Sequence, residues 1–482
     1  MSEHIARRAL DTASQLGAGY ADVRIVRRRD QNVSVKSGRV EGVSLGETEG
    51  FGVRVLVDGA WGFASSGHMN SPEADRVAAL AVSIARASAR HNREPVVLDD
   101  RPPAVGRYET PLEEDPFEVP VDRTVDLLLE AERAMAAVAG TTTTSAGYEA
   151  FRESKDFFAT DGSHTEQVIT HVGAGLEVNA AGEDDLQRRN YPEGGGYHAG
   201  GYEHIRSLDL VGRAPELAEE AVALLSAPVL PPGRRTVILH PSQLYLQIHE
   251  SCGHPTELDR VFGTEAAYAG TSFLTTDKLE AGFAYGSELV NLTADATTPG
   301  GLGTFGWDDE GVVGQRVPLV EAGRLTGYLS SRETAPRIGR SSGGSMRADG
   351  HDRLPLIRMT NINLEPREGM SLDDIIADTD DGLLFMSNRS WSIDDRRLNF
   401  QFGVELAREI KGGKLGQLYR NATYTGITPE FWGSCDAVAD AGSWELVGVT
   451  NCGKGQPGQG MHVGHGSSGA RFRNVEVGVG NR

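Results

Sequence analysis

The chain has 482 residues, 39% hydrophobic and 24% charged, the profile of a soluble globular protein too long for one ordinary core, so two or three domains are expected. With 68 acidic against 47 basic residues its formal charge is −21, which repels a phosphate backbone and opposes direct nucleic-acid binding. Three widely spaced cysteines (Cys252, Cys435, Cys452) oppose a disulfide framework, no run of 18 apolar residues spans a membrane, and the start lacks the apolar core of a signal peptide, so a cytoplasmic protein is expected.

Ile5, Ala9, Ala13 and Leu16 recur at helical spacing before Gly17 to Gly19 end the run. Alternating segments follow at 21–28, 32–36, 40–45, 52–57 and 60–64, separated by turn residues such as Asp58-Gly59; they predict an antiparallel sheet of four or five strands. Arg27-Arg28-Arg29 reads as the exposed end of a strand. A helix is expected over 71–91, then a proline-rich, acidic surface connection over 93–120. The pattern roughly repeats, with a helix at 122–139, strands at 141–153, 155–160 and 166–178, and a helix at 208–225. Helix, strands, helix appearing twice suggests an α+β architecture. The linker Ala227-Pro228-Val229-Leu230-Pro231-Pro232-Gly233 divides an N-terminal α/β domain (1–226), with an antiparallel sheet and flanking helices, from a C-terminal mostly-β domain (234–482) that carries a metal-binding helix. Within the latter, Ser371 with Asp374 three residues on predicts a capped helix over 372–377. The glycine-rich stretch 453–469 reads as a loop wrapped near the site, where glycine permits close backbone approach.

The chemistry concentrates at Ile248-His249-Glu250-Ser251-Cys252-Gly253-His254-Pro255. Two imidazoles and a carboxylate within six residues are what a zinc-activated water requires. The spacing is His-Glu-x-x-x-His, however, and on a regular helix positions i and i+5 point about 140° apart. Both histidines can reach one ion only if the helix widens by a π-bulge or stops between them. Gly253 and Pro255 favour a stop, with Gly253 in a left-handed C-terminal turn, His249 and Glu250 on the last turn and His254 just past it. A core histidine with a solvated neighbour is the plainer reading of His249 and Glu250. Catalytic zinc takes a third protein ligand, for which Cys452, His462, His465 and Glu257 are candidates that spacing does not separate. Three adjacent carboxylates, Asp308 to Glu310, would by themselves make a solvated turn.

The run His249-Glu250-Ser251-Cys252-Gly253-His254 with Glu257 and Asp259 resembles the signature of the TldD/PmbA family of metallopeptidases. Asp308-Asp309-Glu310-Gly311, Arg358-Met359-Thr360-Asn361, Asn451-Cys452-Gly453-Lys454-Gly455-Gln456 and the N-terminal Gly52-Val53-Arg54-Val55 and Gly59-Ala60-Trp61-Gly62-Phe63 resemble it too. The resemblance covers nearly the whole chain in order. It implies an N-terminal α/β domain, a β-rich C-terminal domain, zinc held by His249, His254 and Cys452, and Glu250 as general base. It gives Asp308 to Glu310 a structural role, such as orienting an imidazole. The family also contains TldE-like members that lack the motif and pair with TldD-like ones; this chain keeps every motif residue and resembles the catalytic partner. It departs from the family pattern after Cys452, where His462 and His465 stand in a glycine-rich stretch and either is open as a further ligand or substrate contact.

The expectation is therefore a zinc-dependent peptidase acting on extended or unfolded peptides, as a homodimer or with a TldE-like homologue lacking the motif. Its rivals are a tailoring hydrolase of a specialised small peptide or amide, and a non-catalytic modulator subunit. The intact motif and the acidic charge oppose the latter.

Overall fold

Isoleucine and alanines at helical spacing form the buried face of the first helix, α1 (Ser2–Gln15), whose Ile5, Ala6, Ala9 and Ala13 are buried. The structure, a computed structural model, describes residues 2–92, 94–183 and 185–479; Met1, Arg93 and Asp184 and residues 480–482 lie outside it, so the expected 93–120 connection is described from residue 94. After α1 come three strands, β1 (Tyr20–Lys36), β2 (Arg39–Val57) and β3 (Ala60–Ser66), then α2 (Ser71–Ala89). The four or five short strands read from the sequence are thus three long ones. Arg27 to Arg29 sit in the middle of β1 rather than at a strand end, because pairing continues through them, opposite Glu49 to Glu47, and on to Arg39 of β2.

The 94–120 connection is not all loop, since β4 (Val105–Glu109) pairs in parallel with a later strand. The second half supplies α3 (Val121–Ala136), β5 (Thr141–Ala159), β6 (His164–Ala181), β7 (Leu186–Tyr191) and α4 (Leu210–Ser226). All its strands join the first three in one sheet of order β3-β2-β1-β5-β6-β4, with β7 also on β6. Strand alternation explains its two faces. Val23 and Ile25 of β1 pack with α1 and α2, and Val33 and Val35 with α3 and α4, so both helix pairs cover the face of the odd-numbered residues. The other face carries Arg24 and Arg28 of β1, Arg54 of β2 and Lys155 of β5. It meets the C-terminal region through Arg28–Asp349 (2.6 Å), Lys155–Asp309 (2.7 Å) and Arg54–Glu310 (3.0 Å).

Past residue 230 the main buried cluster draws only on residues up to Val477 of the C-terminal half. Strand β8 (Gly233–Leu239) leads into helix α5 (Pro241–Ile248). Strands β9 (Leu292–Asp295), β10 (Arg316–Glu321) and β11 (Asn361–Leu364) begin one sheet, and β12 (Asp381–Ile393), β13 (Asn399–Lys411) and β14 (Thr423–Ile427) belong to another. The chain ends with β15 (Glu445–Lys454), β16 (Gln459–Ser467) and β17 (Ala470–Val477). The first sheet runs β10-β9-β11-β16-β15 with β15 at its edge, whereas in the second the pairing β12-β8-β17-β14-β13 returns from β13 to β12 and closes a ring. The capped helix over Leu372–Ala377 has the reciprocal Ser371–Asp374 capping box. The glycine-rich 453–469 stretch, expected as a loop, is instead mostly the β15–β16 hairpin. Its glycines do serve close approach: a Cβ on Gly464 would lie 2.2 Å from Asn361 Oδ1. No described helix is long and apolar enough to cross a membrane.

Candidate metal centre

Helix α5 starts with Pro241 at its first position, and the His240 side chain accepts from Ser242 N as the cap. Every residue from Pro241 to Ile248 is buried, because the helix lies against β12 on one side and β15 and β16 on the other. Its buried amides have partners: Gln243 donates to the Tyr424 hydroxyl (3.0 Å), which donates to Gln247 (3.0 Å). The helix does not stop at Gly253. His249 to Gly253 form a π turn closed by His254 N–H to His249 C=O, which widens the helix so that positions i and i+5 stack one above the other. Gly253 is right-handed, φ −68°, so the expected left-handed stop is corrected to the bulge.

The carbonyls that this turn frees have named partners. The Tyr285 hydroxyl donates to Ser251 O (2.7 Å), and Thr256 Oγ1 donates to Cys252 O (3.0 Å) and Gly253 O (2.8 Å). Gly253 is needed for room rather than for φ: a Cβ there would lie 2.3 Å from Met359 Sδ, and Met359 is fully buried. Gly253→Ala is expected to destabilise the protein by about 1–3 kcal/mol, read as a lower denaturant midpoint. An unchanged midpoint would mean that Met359 moves aside freely.

The π turn brings the His249 and His254 rings to 4.9 Å between centroids. Cys452, on β15, joins them, and the ligating atoms of His249, His254 and Cys452 all lie within 4.8 Å of one another. Sγ of Cys452 is 3.8 Å from His254 Nε2.

Surrounding acceptors fix the tautomers. The Ile362 carbonyl can only accept, so His465 Nδ1 carries a proton toward it (3.4 Å) and His465 Nε2 is left as an acceptor. His249 Nδ1 then donates to His465 Nε2 (2.8 Å), leaving the Nε2 lone pair of His249 free. Glu257 does the same for His254, accepting from Nδ1 at 3.1 Å. Burial would raise the Glu257 carboxyl, but Lys454 (3.3 Å), His254 and Arg260 overcome it and hold the group well below the usual range. Burial pushes all three imidazoles, His249, His254 and His465, down and so favours their neutral forms. Burial would raise the Cys452 thiol as well, yet the Arg358 guanidinium and His254 outweigh it and the net shift is downward. Two neutral imidazole nitrogens and a thiol biased toward thiolate are a donor set that fits Zn²⁺.

Of the other third-ligand candidates, Glu257 and His465 stand behind the ligand set as hydrogen-bond partners of its imidazoles. His462 is elsewhere, with its Nδ1 2.9 Å from that of His171. Asp308 to Glu310 are neither a solvated turn nor a support for an imidazole. All three are 2–3% exposed; Asp308 accepts from the backbone N–H groups of Glu310, Val312 and Met346, while Asp309 and Glu310 pair with the basic face of the N-terminal sheet.

Glu250 follows His249 and points into a cleft of about 600 Å³ that His249, His254 and Cys452 also line. Sequence reading missed its partner, Arg397, whose Nη1 donates to Glu250 Oε2. No local signal marks Arg397, because 147 residues separate the pair. The cleft lies between two strand segments, Asn388–Ile393 of β12 and Gly448–Gly453 of β15, and Trp391 stands in it 57% exposed.

Three family models match the chain: PmbA/TldA metallopeptidase domain 1 over residues 21–85, the central domain over 114–227 and the C-terminal domain over 232–478. A metalloprotease of Methanocaldococcus jannaschii is 30% identical over 447 residues, 93% of this chain and 94% of that protein. A metalloprotease TldD homolog of Haemophilus influenzae is 27% identical over 97% of this chain and 94% of its own length. Among solved structures, a proposed DNA gyrase modulator from Thermotoga maritima superposes with a TM-score of 0.79 at 17% identity, covering 99% of this chain and 100% of that one. TldE from Thermococcus kodakarensis superposes at 0.73 and 16% identity, covering 98% and 99%. At such identities the superpositions establish the fold.

Proposed function

The chain belongs to the PmbA/TldD metallopeptidase family and is a metallopeptidase, and from that premise we propose that it hydrolyses peptide bonds in extended or unfolded peptides, with zinc held by His249, His254 and Cys452 and with Glu250 as general base. The observation that carries this reading is the convergence of two free imidazole nitrogens and the Cys452 sulfur within 4.8 Å, on the wall of a cleft that also contains Glu250. A zinc ion held there would polarise the scissile carbonyl and bring the pKa of a bound water to about 7. Glu250 accepts the proton of the attacking water and delivers it to the leaving amine. Glu257 and His465 keep the two imidazoles in the ligating tautomer. No side-chain nucleophile is needed, so no covalent enzyme intermediate should accumulate.

The cleft supports an extended substrate. Strand β15 ends its sheet, and its pairing with β16 shifts register between Val449 and Cys452. The backbone there can take an added strand, while Trp391 offers an apolar surface to a side chain. We further propose that the protein acts as a dimer, with a second copy or with a homologue lacking the motif, in a cytoplasm whose reducing conditions suit its three free cysteines.

The test is hydrolysis of an unfolded polypeptide by zinc-loaded protein, repeated after chelation and after zinc is restored. Loss and recovery in step with zinc are expected, and inertness at stoichiometric zinc would overturn the reading. Light scattering of the active preparation is expected to give a dimer, and a fully active monomer would remove that part.

A further inference from the structure

Arg397 lies in the turn between β12 and β13 with φ +63°, a left-handed conformation uncommon for a side chain of this size. Its backbone is pinned on both sides. Arg397 N–H donates to Asp394 O (2.9 Å), and the Thr428 hydroxyl donates to Arg397 O (3.0 Å). The Asp394 carboxylate accepts from Leu398 N (2.8 Å) and Asn399 N (3.2 Å). A turn so thoroughly determined holds a strained residue in place, and here the result is a guanidinium in the wall of the metal cleft. One of its nitrogens donates to Glu250, and the group is 16% exposed. Its Nε is buried with no hydrogen-bond partner. The group nonetheless lines the cleft, and a guanidinium carries five N–H donors, so on its cleft side the fork has capacity for a further acceptor beside the residue that takes the proton.

We propose that Arg397 is a catalytic residue that binds the carbonyl oxygen of the scissile bond as it becomes negative. The inference rests on the peptidase reading above. In the substrate-free molecule the guanidinium is paired with Glu250; the charge that develops on the carbonyl oxygen draws it across. Water oxygen then bonds to the carbonyl carbon, the π pair moves onto the carbonyl oxygen facing Arg397, and the water proton passes to Glu250. On collapse that pair re-forms the C=O bond, the C–N bond breaks, and the nitrogen keeps the bonding pair and takes the proton from Glu250. As Glu250 takes the proton and loses its charge, the guanidinium exchanges that partner for the oxyanion, so its contact with the substrate becomes strong only in the transition state, which is where binding accelerates a reaction.

The test compares Arg397→Ala and Arg397→Lys with wild type at equal zinc content, using one unfolded peptide and its phosphinic analogue, whose tetrahedral anionic group imitates the adduct. In Arg397→Ala kcat should fall about 10²–10³-fold, with KM changed less than about threefold. Affinity for the phosphinic peptide should fall in parallel with kcat. Arg397→Lys should recover part of both, since it keeps the charge but not the fork. Adding Arg397→Ala to Glu250→Gln should leave binding of the uncleaved peptide nearly unchanged. Equal phosphinic affinity in wild type and Arg397→Ala would overturn the assignment, reducing Arg397 to a positioning residue for Glu250 if kcat still fell. Zinc-loaded wild type that cleaves no peptide would instead sink the peptidase reading, and the phosphinic comparison would still decide the anion contact.

Discussion

Glu250→Gln is expected to keep its zinc and its fold while losing peptide hydrolysis by at least about two orders of magnitude, the usual contribution of a general base. The substitution keeps size and hydrogen-bonding capacity but cannot accept a proton. Nothing in the ligand set depends on the carboxylate: His249 and His254 are oriented by His465 and Glu257, at 2.8 and 3.1 Å, and Cys452 by its strand. Glu250 instead contacts Arg397, so the amide loses an ion pair on the cleft wall rather than a metal bond. Zinc content and turnover should be measured on one preparation. Turnover at the wild-type rate would exclude Glu250 as the base, and lost zinc would make it a ligand.

How much of this could be read from the residues is clearest at the motif itself. The i, i+5 spacing posed a geometric problem with two solutions, and the local residues pointed to the wrong one. Gly253 and Pro255 look like a helix terminator. Here Gly253 makes room for Met359, and Pro255 sits in a 3₁₀ turn that continues the chain's right-handed course. The bulge is stable because Tyr285, 34 residues away from Ser251, covers one of the freed carbonyls. A partner at that distance has no local signature. Strand lengths failed for a related reason: β1 runs through Arg27-Arg28-Arg29 because Arg28 finds Glu153 on β5 and Asp349 in the C-terminal half, both at 2.6–2.7 Å. Charged residues that would break an isolated strand are tolerated once such partners exist.

Side chains that carry out chemistry at short range were legible, and those that hold them were not. His249, Glu250 and His254 stand within one turn and announce themselves. Glu257 follows His254 by three residues, the spacing of helical neighbours, and could have been recognised as its hydrogen-bond partner rather than as a rival ligand. His465 and Arg397 reach the site from β16 and from the β12–β13 turn, and only the folded chain brings them there. Asp308 to Glu310 show the same limit in reverse. Three adjacent carboxylates look solvated until Arg54 and Lys155, on the basic face of a sheet formed much earlier in the chain, supply their counter-charges.

Cys452→Ala is expected to strip the protein of most of its zinc, and the neighbouring thiol and imidazoles make the comparison decisive. Cys252 lies inside the motif and would be the nearer ligand by sequence. Its sulfur, however, faces the core and accepts from the Tyr285 hydroxyl at 3.0 Å, and burial pushes its thiol up to about 12, where it offers no thiolate. Cys452 is equally buried but has Arg358 and His254 beside it to favour the anion, and its sulfur lies with the two imidazole nitrogens. Removing it leaves two neutral ligands and no anionic one, so affinity should collapse. Cys252→Ala and His462→Ala should retain stoichiometric zinc, since neither residue belongs to the ligand cluster. His465→Ala should fall between, binding zinc about 10–100-fold more weakly, because it orients His249 without ligating. Metal content after dialysis against a competing chelator of graded strength would rank the four variants. Stoichiometric zinc in Cys452→Ala, with loss in Cys252→Ala or His462→Ala, would move the centre away from β15 and with it the cleft in which Glu250 is placed to act.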